Sequence, residues 1–199
     1  PDLPDQPPVG PEVGVLDITW MNEYTVFRPE GHDVWRRFRT TIDDYESSHP
    51  GRESMIVAEA YAVRRPELVK AFTEPDQFHQ MFSFDLMLTP WEKHSIERAM
   101  LDPIAILAET GVPPAWTLNN HDIQRIVTRL GRADAHLPEV WTNNNLALSR
   151  AEVDLVLGER RARAMTALIF ALPGSLYLYQ GEELGLPEAV HYTHLRAHD

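Results

Sequence analysis

Apolar positions in HDVWRRFRTTIDDYESSH (32–49) fall at Val34, Trp35, Phe38, Ile42 and Tyr45, at intervals of one, three, four and three. That is the period of an amphipathic helix, and Pro50-Gly51 ends it. In SMIVAEAYA (54–62) the pattern changes to a short continuous apolar run, typical of a strand buried on both faces. Residues 66–72 read as a short helix opened by Pro66. MFSFDLML (81–88) is a second buried strand, and IERAMLDPIAILAET (96–110) is a helix with a kink or break at Pro103. PAWTLNN (114–120) is a third strand. VDLVLGERRARAMTALIFAL (153–172) is a long helix, weakened in its middle by Gly158 and ended by Pro173-Gly174. SLYLYQG (175–181) is the fourth strand.

Regular alternation of helix and strand predicts right-handed βαβ units and a parallel sheet, either an open doubly wound sheet or half of a closed barrel. In both, ligands sit at the carboxyl ends of the strands. Polar residues gather at those ends: Glu59, Asp85, Asn120 to Asp122, and Gln180 to Glu183. Residues 1–11, with five prolines and one glycine, read as an extended loop.

Composition narrows the possibilities. With 18 Lys and Arg against 30 Asp and Glu, the 199-residue chain carries a net charge of −12. That balance argues against nucleic acid or an anionic membrane as partner. No apolar run is long enough to span a bilayer, and no signal-peptide pattern opens the sequence. Cysteine is absent, which excludes disulfides and thiolate chemistry and leans toward the cytoplasm.

Several residues could carry chemistry. Glu59 follows an apolar strand, where partial desolvation would suit a general acid. The plainer reading of Glu59 alone is a helix cap or a partner of Arg64 or Arg65. Asn120-His121-Asp122 places an acceptor, an imidazole and a carboxylate at one strand exit, which suits a hydroxyl-rich ligand. An Asx-type turn explains the same tripeptide equally well. Glu59 and Asp122 could converge over one pocket, and paired carboxylates are the machinery of glycoside hydrolysis. H-E-x-x-H, nucleotide-binding glycine motifs and the serine-hydrolase G-x-S-x-G are absent. The run Glu159-Arg160-Arg161-Ala162-Arg163 reads as a solvated helix face, with Glu159 and Arg163 spaced to pair. Most of Trp20, Trp35, Trp91, Trp116 and Trp141 read as packing residues, with one or two able to stack on a sugar ring.

VAEAY around Glu59, TLNNHDIQRIVTRLGR around Asp122 and ALPGSLYLYQGEELGLPE (171–188), in that order, resemble glycoside hydrolase family 13, most of all its bacterial α-glucosidase and oligo-1,6-glucosidase branch. The resemblance extends over residues 1–188; the tail 189–199 does not continue the family pattern. It implies an α/β fold, a partial (β/α)8 TIM barrel containing strands five to eight with their helices. It also implies a retaining mechanism on an α-glycoside. Glu59 matches the acid/base that protonates the leaving oxygen. Asp122 matches the carboxylate that binds ring hydroxyls and stabilises the oxocarbenium-like transition state. His121 matches a substrate-binding histidine, and Asn120 and Arg125 of the same stretch are grouped with it. No metal or cofactor is implied.

The family's G-x-R-x-D nucleophile motif and its D-x-x-x-N-H motif do not occur in the chain. A full barrel takes about 250 residues. The expected partners are therefore an oligosaccharide and the missing N-terminal half of the same barrel, and the chain alone is expected to be inactive. Alternatives are a trehalose synthase or sucrose isomerase type, a non-catalytic relative such as the heavy chains of amino-acid transporters, or a standalone sugar-binding module.

Overall fold

The computed structural model describes residues 28–60, 66–137 and 151–188. The proline-rich start, Trp20, Arg64, Arg65, Trp141 and the tail 189–199 lie outside the described residues. Among the described residues nine elements follow in order: α1 (Pro29–Ser48), β1 (Val57–Ala58), α2 (Pro66–Phe72), β2 (Gln80–Ser83), α3 (Lys93–Thr110), β3 (Ala115–Thr117), α4 (Ile126–Gly131), α5 (Leu155–Phe170) and β4 (Ser175–Tyr177). The strands form one sheet in the order β1-β2-β3-β4, every neighbouring pair parallel. Parallel neighbours need a crossover, and the helices between them provide it.

Alternation along the strands separates two faces. Trp116 and Leu118 turn toward the helices, packing with Ala162, Met165 and Ile169 of α5. Ala58 and Met81 do the same in a second cluster with Phe72, and Trp35 packs against it. On the other face, Gln80 Nε2 donates to Ser175 Oγ at 2.8 Å. Phe82 meets the edge of Tyr177 with ring centroids 4.8 Å apart. Both contacts join β2 to β4 across β3, whose Ala115 is small. Side-chain layers contributed by alternate strands are how a (β/α)8 barrel fills its interior. The sheet is thus a partial (β/α) barrel with its inner face built in half-layers.

Differences from the sequence reading have physical causes. Each strand is shorter than its apolar run. Leu86 and Met87, read as strand, are buried within a turn after β2, because a short apolar run reports burial rather than strand geometry. The expected break at Pro103 does not occur: α3 runs through it. Proline forgoes one ladder bond there, and its buried ring offsets part of the loss. The helix also begins earlier, because the Glu92 carboxylate accepts from the His94 and Ser95 amides at 3.0 and 2.8 Å. In α1 the apolar stripe is only partly covered. Trp35 packs on Phe78, while Val34, Phe38 and Tyr45 stay about half exposed. The helix α4 had no amphipathic signature, since all six of its residues are buried.

Gly158 has a role that helix propensity does not reveal. A Cβ at Gly158 would run into the Val127 carbonyl and lie 3.0 Å from the Gly131 Cα. The two glycines let the backbones of α4 and α5 touch. Arg161, from the charged run, donates to the Leu130 carbonyl at 2.7 Å and lies over Trp91. Glu159 and Arg163 pair at 3.8 Å on the outside, as their spacing implied.

Candidate active site

Glu59 leaves β1 and the Asn120-His121-Asp122 loop leaves β3, two strands apart in the sheet. Each of Glu59, His121 and Asp122 offers a ligating atom, and these atoms lie within 4.8 Å of one another. Residues 62 and 63 positions apart in sequence thus meet at one end of the sheet. His121 Nε2 stands 3.4 Å from Asp122 Oδ1. All three side chains are exposed, so the desolvation of Glu59 expected from its apolar strand is not supplied by the described residues. The three donors are close enough to hold an ion, but exposed acids are often so arranged without one.

The loop is held from within. Asn120 Oδ1 accepts from the Asp122 and Ile123 amides at 3.0 and 3.1 Å. This is the Asx turn that explained the tripeptide without a ligand, and it fixes Asp122 relative to the strand. Asn119 is buried, and its Oδ1 accepts from the Ile126 amide at 2.6 Å, tying the loop to the start of α4.

Arg125 reaches across to the exit of β4. Its Nη1 donates to the Gln180 carbonyl at 2.7 Å, its guanidinium lies 5.0 Å from the Tyr179 ring centroid, and its backbone amide donates to Glu188. Gly181, at φ +83°, makes that approach possible: a Cβ there would press on Leu186 and on the Arg125 guanidinium. Asn120 and Arg125 therefore have structural partners, while Glu59, His121 and Asp122 converge.

Sequence reasoning missed Arg129. It is 1% exposed and donates to the Leu118 carbonyl at 2.6 Å and to the Gln124 carbonyl at 2.8 Å. Burial pulls its pKa down to about 9, opposed by the charge of Glu182 from the β4 exit loop. It is still a cation at neutral pH. A basic residue in IVTRLG carries no pattern that announces burial, so no signal in the sequence distinguished it.

A half-barrel with two carboxylates and a histidine at its strand exits agrees with the comparisons to known proteins. The family model for the alpha amylase catalytic domain matches residues 1–197, and the chain belongs to that family. It is 29% identical over 178 residues to "Trehalose synthase/amylase TreS" of Mycolicibacterium smegmatis, covering 81% of this chain and 29% of that protein. It is 26% identical over 172 residues to the human "Amino acid transporter heavy chain SLC3A1", covering 85% of this chain and 21% of that one. Among solved structures it resembles an alpha-glucosyl transfer enzyme, XgtA, with TM-score 0.56 and 27% identity, covering 85% of this chain and 26% of that chain. The chain thus spans under a third of the length of these relatives. Among the described residues no helix is long and apolar enough to cross a membrane.

Proposed function

We propose that the chain is the part of a longer α-glucosidase barrel that carries the acid/base catalyst and the carboxylate stabilising the transition state. The substrates are terminal α-glucosidic bonds of malto- or isomalto-oligosaccharides. The convergence of Glu59 with His121 and Asp122 carries this reading. Glu59 protonates the glycosidic oxygen as it leaves. As a carboxylate it then takes the proton of the incoming water. Asp122 accepts hydrogen bonds from ring hydroxyls and places negative charge beside the oxocarbenium-like centre, with His121 next to it. The attacking carboxylate comes from outside this chain, which lacks the G-x-R-x-D motif.

Among the described residues both edges of the sheet are unpaired, which supports the idea that further strands complete the barrel. Met55 beside β1 and Leu178 beside β4 are both exposed, and unpaired edges with apolar neighbours call for a partner.

Transfer to a sugar hydroxyl in place of water is the second reading, favoured by the names of two of the relatives. Both readings use the same residues. Incubating the full-length enzyme with maltose separates them. Glucose as the sole product supports hydrolysis, whereas trehalose or longer glucosides support transfer. No conversion of any α-glucoside would overturn both and favour a non-catalytic relative.

A further inference from the structure

We propose that Arg129 is a positioning residue for catalysis, holding both ends of the loop that presents His121 and Asp122. The inference rests on the reading that Asp122 serves the glycosidic bond. The loop leaves β3 at Leu118 and enters α4 after Gln124. Arg129 donates one η nitrogen to each of those two carbonyls. A guanidinium is a rigid planar fork and can satisfy two separate acceptors at once; an ammonium is a single compact point.

The base of the fork is itself fixed. Arg129 N donates to the Arg125 carbonyl at 2.9 Å, Asn119 holds the first amide of α4, and Arg161 holds the Leu130 carbonyl near its end. The Gly131–Gly158 crossing then locks α4 against α5. A platform this constrained passes the position of the guanidinium directly to the loop. Burying a cation costs several kcal/mol before compensation, and an apolar side chain of similar size often serves stability as well or better. The charged fork at this position is therefore better explained by the geometry it imposes on the loop than by stability.

The test is a double-mutant cycle in the full-length enzyme, with Arg129→Lys and Asp122→Asn assayed on maltose. Arg129→Lys should lower kcat about a hundredfold, as misplacement of a catalytic group by about 1 Å does, with KM changed by less than about threefold. Added to Asp122→Asn, it should cost at least about tenfold less than it does alone, because the clamp acts mainly through the group already removed. Full additivity would overturn the proposal, as would a wild-type kcat for Arg129→Lys. Wild-type rates for Asp122→Asn would instead sink the functional reading. In that case amide hydrogen exchange tests the clamp without activity. In Arg129→Lys, exchange at Asp122 and Ile123 should quicken about tenfold or more while Met165 in α5 is unchanged. Equal quickening at all three would mean general destabilisation and overturn the proposal. If Arg129→Lys does not fold, Arg129→Met, an apolar side chain of similar length that leaves both carbonyls without the fork, takes its place. It should give the same kcat-selective loss, and full activity would overturn the proposal.

Discussion

Replacing Gly158 by alanine sets two physical effects against each other. On helix propensity alone the change should stabilise α5 by about 1 kcal/mol. The added methyl, however, would meet only main-chain atoms: the Val127 carbonyl and the backbone of Gly131. No side chain can rotate away, so α4 must move. Overpacking of this kind costs up to about 3 kcal/mol, and taking the upper figure leaves a net loss of about 2 kcal/mol. Urea unfolding followed by tryptophan fluorescence reads the effect, since Trp116 is 1% exposed in the same cluster. The midpoint should fall with the slope unchanged. A midpoint equal to or above that of the parent would refute the claim that the two backbones touch.

Three further outcomes follow from the same geometry. Burial, aided by the Arg39 cation and opposed by Asp43 and Glu46, lowers the pKa of His79 below 6.5, and its Nδ1 accepts from the Ile56 amide at 3.2 Å. The fold prefers the neutral ring, so the unfolded chain binds the proton first. Stability is therefore full above pH 6.5 and falls as pH drops through it. Urea midpoints at about pH 7.5 and about pH 5.5 should differ less in His79→Asn than in the parent. The 199-residue chain by itself should show no turnover of aryl α-glucosides or maltose, and measurable turnover at purity would contradict the assignment of the nucleophile elsewhere. Trapping the full-length enzyme with a fluorinated glucosyl fluoride and mapping the labelled peptide should place the label outside this chain. A label on Asp122 would make it the nucleophile.

The order of helices and parallel strands was legible because each strand carries an apolar run and each crossover carries a helical period. Glu59 and Asp122 were legible as strand-exit carboxylates, and the motifs around them fixed their family. What the sequence did not reveal is instructive. Arg129 and Thr128 in the buried helix α4 look like surface residues, because their burial depends on partners distant in sequence. Gly158 looks like a weakness until the α4 backbone is placed against it. Asn120 was open between turn and ligand, and its two bonds to the loop amides show the turn. Pro103 was read by its local rule, which burial overrode. Contacts across the fold decided each of these cases.

In the proposed reaction Glu59 delivers the proton to the leaving group, and Glu59→Gln in the full-length enzyme is the most direct test of that role. The kcat/KM for maltose should fall by about a hundredfold or more. For an activated aryl α-glucoside, whose leaving group needs little protonation, the loss of kcat/KM should be at least about tenfold smaller. Equal losses on the two substrates would mean that Glu59 is not the proton donor.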